Sequence, residues 1–225
     1  ETGVLGILSH FEAHSLGWFN YKTPRNFRLK LDKSGGGALL DTGIHFVYLL
    51  RYLIGEILSV CSFNGRILNK LHDFTSEGED TSVTIMQLSA NVLGTMSISY
   101  SSKLPKWQEG FPQGWDQGIK IYGSSGTVRA NLTENKVILF PDFKEEWQNY
   151  CKIPEAELSA YPGIAHTISY EKEIEHFVDC MLSRSDFRKE VTVESATQDI
   201  GVIDAIYRSN LDQTTVKVSD FPFGQ

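Results

Sequence analysis

A glycine triplet that runs directly into an apolar helical pattern decides the fold of this chain. The stretch reads Gly35-Gly36-Gly37-Ala38-Leu39-Leu40-Asp41-Thr42-Gly43-Ile44-His45. Apolar spacing predicts a helix from Ala38 to Ile54, and Gly55 is placed to end it. Asp41 and His45 lie four residues apart, so a regular helix projects both from one face. A carboxylate beside an imidazole can hold a proton carrier in one tautomer near neutral pH.

Composition excludes several classes of protein. The 225 residues are 41% hydrophobic and 22% charged, with a net charge of −7, which is typical of a globular domain. An acidic balance argues against nucleic acid or an anionic membrane as the main partner. Cys61, Cys151 and Cys180 are scattered without zinc-ligand spacing, so we expect a reducing compartment and no metal. With neither a membrane span nor a signal peptide visible, the cytoplasm is the expected location.

The order of patterns along the chain predicts an α+β fold. A strand is expected over Gly3–His14 and a loop over Gly17–Lys33, both before the central helix. Later strand patterns lie at 58–68, 81–88, 93–101, 119–122, 126–130, 136–140 and 215–218, and helical patterns lie at 170–182 and 193–210. Hairpins in place of regular strand–helix alternation favour a mostly antiparallel open sheet with helices packed on one face. No linker divides the chain, so residues 1–225 are expected to form a single domain.

Four short motifs together resemble one family. They are the Gly-Gly-Gly-Ala-Leu-Leu-Asp-Thr-Gly-Ile-His helix, Glu79-Asp80-Thr81-Ser82-Val83, the segment Ile119 to Thr127, and Glu173 to Val178. Their order and spacing resemble the C-terminal domain of the glucose–fructose oxidoreductase, inositol dehydrogenase and rhizopine-catabolism (Gfo/Idh/MocA) family. The resemblance covers the chain from about Gly3 to Val218. It implies an α+β domain that holds a sugar, inositol or similar alcohol.

The resemblance also implies a second domain that this sequence does not contain. Family members carry an N-terminal Rossmann domain that holds NAD or NADP. This sequence has no G-x-G-x-x-G between a strand and a helix, and no Glu-Lys-Pro motif, which supplies an active-site lysine in the family. The cofactor is therefore expected to bind mainly to a domain absent from this chain. We expect the chain to be a fragment, a split subunit or an incompletely represented enzyme, and inactive when alone.

By this resemblance, Asp41 and His45 match the family's aspartate and its catalytic histidine. The histidine handles the proton of a substrate hydroxyl while hydride passes to the nicotinamide, and imidazole titrates in the range that this requires. The alternative is a structural pair, in which Asp41 caps the helix start and His45 is satisfied in the core. Gly43, between them, either leaves room for the nicotinamide or allows close packing against the sheet.

Five further residues are candidates for contact with substrate. Arg28, just before the glycine triplet, could bind a polyol or an anionic substrate, or be a solvated loop charge. Trp18 and Trp115 could stack on a sugar ring, although large aromatic residues are common in cores. His10 on the first strand and His166 before the late helix are further candidates for the pocket.

Two classes of function follow from these patterns. The first is the substrate-binding and oligomerisation domain of an NAD(P)-dependent oxidoreductase. The second is a non-catalytic ligand-sensing or scaffolding relative with the same fold; retention of Asp41 and His45 favours the enzyme. Thr95, Ser97 and Ser99 line one face of a strand, and relatives commonly use the open sheet face for dimerisation. A homodimer or higher homo-oligomer through that face is therefore expected, with a solvated sheet face as the alternative.

Overall fold

The computed structural model describes residues 5–19, 26–70, 75–104, 114–131, 133, 136–141, 165–186, 188 and 191–218. These residues form one open sheet of eight strands with helices on one face. The strands are β1 (Leu8–Gly17), β2 (Ile57–Gly65), β3 (Thr81–Leu88), β4 (Leu93–Ser99), β5 (Trp115–Gly123), β6 (Gly126–Asn131), β7 (Lys136–Pro141) and β8 (Val216–Lys217). The helices are α1 (Leu31–Ser34), α2 (Ile44–Leu53), α3 (Ala165–Ser183) and α4 (Val193–Asp212).

The sheet is mostly antiparallel, as the sequence predicts. Its strand order is β7-β6-β5-β1-β4-β3-β2-β8, and β1 with β4 forms the parallel pair. The hairpin between β3 and β4 turns at Ala90 and Asn91, which both have positive φ (57° and 62°). Two consecutive left-handed residues give the tight reversal that antiparallel neighbours require. No helix among the described residues is both long and apolar enough to cross a membrane.

The first strand begins and ends later than Gly3–His14. Its observed bounds are Leu8–Gly17, and residues 3 and 4 lie outside the described part of the chain. Gly6 has a φ of +67°, a left-handed conformation that interrupts an extended strand. The strand continues past His14 because its last residues pair on both sides, Leu16 with Ser99 of β4 and with Asp116 of β5.

Alternation along the central strands separates the two faces of the sheet. Phe11 and Ala13 of β1, and Met96 and Ile98 of β4, point to one face and are at most 2% exposed. Helices α2 and α4 cover this face, and their apolar residues complete the core. The core contribution of the helices comes from Phe46, Val47, Leu50, Val202, Ile203, Ala205 and Ile206. We call this the helix face and the opposite side the open face.

An ion-pair network joins the two helices on the helix face. The Arg51 side chain, 6% exposed, donates hydrogen bonds to the carboxylates of Glu56 and Asp199. It also donates to the carbonyl oxygen of Ser195 at 3.0 Å. A buried guanidinium needs partners for its donors. Asp199 and Ser195 tie the end of α2 to the start of α4, and Glu56 lies between α2 and β2.

Helix α3 matches the predicted late helix in place, but its apolar stripe lies at the surface. The stripe residues are between 44% and 80% exposed and comprise Tyr170, Ile174, Phe177, Val178, Met181 and Leu182. Their three- and four-residue spacing is typical of a core-facing helix. The described residues do not bury that side of α3.

Candidate active site

The central helix starts from a turn that is packed too tightly for any residue but glycine. A Cβ atom on Gly37 would lie 1.9 Å from the backbone oxygen of Glu79. Gly35 adopts a φ of +75°, which ends α1 and favours glycine. The triplet therefore lets the chain reverse while it is pressed against the segment that leads into β3.

The buried carboxylate of Glu79 caps this turn. Its Oε1 accepts hydrogen bonds from the Leu39 backbone N–H at 2.8 Å and from the Tyr207 hydroxyl at 3.1 Å. Its Oε2 accepts from the Gly37 N–H at 3.2 Å, and its backbone oxygen accepts from the Ala38 N–H at 2.9 Å. A carboxylate from a distant segment thus satisfies the free donors of a helix N-terminus.

Burial is the main influence on the ionisation of this cap. It raises the pKa of Glu79 above its usual value of 4.5, against the lowering effect of the hydrogen bonds. The pKa of Tyr207 is raised as well, first by burial and then by the neighbouring charge of Glu79. Tyr207 therefore remains a neutral hydrogen-bond donor to Glu79.

The first turn of the central helix is π-helical. The predicted helix is present, but Leu39–Gly43 forms a π turn in which the Ile44 N–H bonds to the Leu39 oxygen, and regular α2 starts at Ile44. Such turns are rare in proteins as a whole, but those that occur often lie at functional sites.

Asp41 is bound by residues from other elements. Its Oδ2 accepts a hydrogen bond from Arg28 Nε at 3.1 Å and from the Tyr100 hydroxyl at 2.7 Å. Since the Tyr100 proton points to Asp41, the hydroxyl of Thr42 donates to the Tyr100 oxygen at 2.6 Å. The carboxylate orientation is therefore fixed by one cation and one phenol.

Sequence reasoning missed Tyr100. It follows β4 and is 2% exposed; its ring stacks on Phe19 at 5.0 Å between centroids and meets Trp115 edge-on at 5.8 Å. Tyr100 continues the alternation of Met96 and Ile98 and therefore points to the helix face. The signal that could have identified it is the hydroxyl, because a buried tyrosine oxygen needs a polar partner.

His45 lies exposed one turn beyond Asp41. Within the part of the chain that the structure describes, no hydrogen bond joins the His45 side chain to Asp41 or to another residue. Arg28 and Tyr100 instead bind the Oδ2 atom of Asp41. The arrangement leaves the imidazole open to an incoming molecule.

A small pocket opens beside Asp41. It has a volume of about 160 Å³, and its lining includes Phe27, Arg28, Gly36, Leu40, Asp41 and Tyr100. Complete small-molecule sites measure roughly 300–1,000 Å³. The pocket can therefore enclose only part of a ligand of that kind.

The other candidate residues lie in different places. Trp115 reaches the site through its contact with Tyr100. His10 alternates with the core residue Phe11 and lies on the open face against Tyr122, at 5.6 Å between ring centroids. The sheet therefore separates it from Asp41. Trp18 bridges to Ser101, with Lys103 6.0 Å from its ring.

Two candidates have a separate status. His166 is within α3, but its side chain lies outside the described residues. Gly43 is buried, and a Cβ there would lie 2.8 Å from Leu39 Cδ1 and 3.4 Å from Ile98 Cγ1. The closest of these atoms belongs to a side chain of the same helical segment, so close packing against the sheet and a nicotinamide contact both stay predictions.

A family model described as the GFO/IDH/MocA C-terminal domain matches residues 1–129. The chain belongs to this family.

Curated relatives and solved structures agree with this assignment. The chain is 27% identical over 116 residues to a myo-inositol 2-dehydrogenase of Thermotoga maritima, covering 51% of this chain and 32% of the relative. It is 23% identical over 149 residues to a scyllo-inositol 2-dehydrogenase (NAD(+)) of Bacillus subtilis, covering 66% of this chain and 39% of the relative. Both relatives are thus much longer than the segment matched.

Two solved structures share the fold. The WlbA dehydrogenase of Bordetella pertussis, in complex with NADH and UDP-GlcNAcA, superposes with a TM-score of 0.74 and 21% identity, covering 99% of this chain and 59% of that one. Levoglucosan dehydrogenase, in complex with NADH and L-sorbose, superposes with a TM-score of 0.77 and 17% identity. This match covers 96% of this chain and 60% of that one. The chain therefore spans about three fifths of each structure.

We predict that Glu79→Ala destabilises the fold by about 2–4 kcal/mol, because each buried donor left without an acceptor costs about 1–3 kcal/mol. Since the folded-state pKa of Glu79 lies above 4.5, the folded protein holds this proton more tightly than the unfolded chain. The stabilisation by Glu79 then falls as the pH rises from about 4.5 through the raised pKa. Urea unfolding across that range should show that Glu79→Ala lowers the free energy of unfolding more at acid pH.

Glu77→Ala is the matched control. The Glu77 carboxylate also accepts hydrogen bonds, from Lys30 and from the Leu31 N–H, but it is open to water, which replaces lost bonds. A loss from Glu77→Ala equal to that from Glu79→Ala would contradict the proposed cap. A Glu79 effect that grows with rising pH would contradict the raised pKa of Glu79.

Proposed function

We propose that this chain is the substrate-binding and catalytic-histidine domain of an NAD(P)-dependent oxidoreductase that acts on a sugar, inositol or similar alcohol. The observation that carries the proposal is the fixed Asp41 carboxylate at the edge of a pocket. One turn away lies the imidazole of His45, which has no side-chain partner among the described residues. Membership of the family and the named activities of the inositol dehydrogenase relatives support it.

Oxidation of an alcohol removes a hydride from carbon and a proton from oxygen. The nicotinamide of NAD or NADP, when bound, supplies the hydride acceptor. His45 is exposed and suited to take the hydroxyl proton, because a neutral imidazole has a nitrogen that accepts a proton. Asp41, oriented by Arg28 and Tyr100, can hold a substrate hydroxyl through its remaining oxygen, Oδ1.

The cofactor is proposed to bind mainly to a domain outside this chain. The chain spans 59–60% of the two structures described above, and the pocket beside Asp41 is smaller than a complete ligand site. A nucleotide-binding domain would supply the other wall of the site. Residues 1–225 would then act as a single substrate-binding and oligomerisation domain. A cytoplasmic location belongs to the same proposal, supported by the free thiols of Cys61 and Cys180.

We predict that His45→Ala in the complete gene product lowers kcat for oxidation of its best substrate by about 10²–10⁴-fold, the range lost with a general base. NAD⁺ and NADP⁺ would be tested with myo-inositol, scyllo-inositol and levoglucosan, following NADH or NADPH absorbance. His10→Ala is the comparison variant, because the sheet separates His10 from Asp41, and it should keep its activity.

Retention of kcat by His45→Ala would contradict the proton-transfer role. A wild-type protein that binds these alcohols yet oxidises none of them would instead favour the second class, a ligand-sensing or scaffolding relative. The two failures are distinguishable because one concerns a variant and the other the parent protein.

A second part of the proposal concerns assembly through the open face. This face exposes a cluster of apolar side chains on β2, β3 and β4, namely Phe63 (64%), Val83 (46%), Ile85 (57%) and Leu93 (49%). Phe63 lies directly across from Val83 in the β2–β3 pair. Contiguous exposed apolar residues mark interaction surfaces, and the same patch on a second copy would cover them in a two-fold homodimer.

We predict that Ile85→Glu converts the homo-oligomer to monomers, since it buries a charge at the centre of the proposed interface. Sedimentation velocity on the complete protein measures this. Ile174→Glu makes the same change at a similarly exposed residue of α3, 63% against 57%, and should leave the assembly intact. An unchanged sedimentation coefficient for Ile85→Glu, or dissociation by Ile174→Glu alone, would contradict an interface on the open face.

A further inference from the structure

The charge of Arg28 is compensated inside the pocket. Arg28 and Asp41 are the charged residues among the described residues that line it, and they pair with each other at 3.1 Å. Both side chains are only about one third exposed, 36% and 35%. Outside the pocket, Lys30 is likewise paired, with Glu77 at 2.6 Å. The site therefore has no excess positive charge for an anionic ligand.

The pair leaves specific hydrogen-bonding positions open. Arg28 Nε and the Tyr100 hydroxyl both bind Oδ2 of Asp41. In the described part of the chain, Asp41 Oδ1 accepts no hydrogen bond, and neither terminal nitrogen of Arg28 donates one. A carboxylate acceptor and a guanidinium donor are thus presented side by side.

Arg28 is held in this position from several directions. Its guanidinium carbon lies 4.8 Å from the ring centre of Phe27 and 5.9 Å from that of Phe19, distances at which a cation is attracted to an aromatic face. Its backbone N–H bonds to the side chain of Asn26 at 3.1 Å. An anion that drew Arg28 away would have to break these contacts and leave Asp41 without its cation.

We propose that the Arg28–Asp41 pair is a subsite for two neighbouring hydroxyls of an uncharged sugar or polyol, and that it discriminates against acidic sugars. This inference rests on the proposed function, whose substrate it narrows. One hydroxyl donates to Asp41 Oδ1 and the adjacent hydroxyl accepts from a terminal nitrogen of Arg28. Both open positions are then satisfied by charge-assisted hydrogen bonds. A carboxylate or phosphate ligand would instead bring negative charge against Asp41, which is unfavourable in a partly desolvated site.

The test compares direct binding of matched neutral and acidic probes. In the complete protein with NADH present, calorimetry would give dissociation constants for myo-inositol, D-glucose and D-glucuronate. The wild type should bind at least one neutral probe about tenfold or more tightly than D-glucuronate, since tenfold is the scale of one favourable polar contact. Asp41→Asn removes the charge that compensates Arg28. It should therefore weaken binding of the neutral probe and strengthen binding of D-glucuronate about tenfold.

Glu77→Gln is the matched control, because it removes one negative charge beside Lys30 outside the pocket. This variant should leave the order of the three probes by affinity unchanged. Tighter binding of D-glucuronate by the wild type, an unchanged order in Asp41→Asn, or no binding of either neutral probe at millimolar concentration would overturn the inference. Binding is measured without turnover, so a catalytic failure of His45 would contradict the proposed function and leave this result standing.

Discussion

The buried carboxylate of Glu79 is the interaction on which the rest of the site depends. It accepts hydrogen bonds from two backbone N–H groups at the start of the central helix and from Tyr207 of α4. These donors have no partner within the helix itself. One side chain thus joins the glycine turn, the segment leading into β3 and the last long helix. The tight contact at Gly37 holds the backbone close enough for this cap to form.

That anchor determines where the chemistry can occur. With its first turn capped and π-helical, the central helix presents Asp41 beside Arg28 and Tyr100 and leaves His45 exposed. An oriented carboxylate, an open imidazole and a small aromatic pocket suit the recognition of hydroxyl groups. In the proposed function they form one side of a site. Under the further proposal, charge pairing within the pocket makes uncharged hydroxyl compounds the better ligands.

Sequence patterns predicted the architecture better than the contacts of the site. Helical spacing around Phe46 and Leu50 identified the central helix, because burial of one face enforces that period. Hairpins in place of regular strand–helix alternation indicated a mostly antiparallel sheet with helices on one face. The π turn was not predicted, because apolar spacing indicates a helix without distinguishing a π turn from an α turn. The same holds for Asp41, whose partner was expected four residues away and is instead Arg28 together with Tyr100. His10 was placed by register, which decides the face of a strand residue only once the neighbouring strands are known.

The most direct test of the central claim is a crystal structure of the complete protein with NADH and myo-inositol bound together. The account predicts that one hydroxyl lies within hydrogen-bonding distance, about 2.6–3.2 Å, of an imidazole nitrogen of His45, while a neighbouring hydroxyl contacts Asp41 Oδ1. The nicotinamide should face the carbon that carries the first hydroxyl. A polyol bound on the open face near His10, or one that contacts neither Asp41 nor His45, would contradict the account.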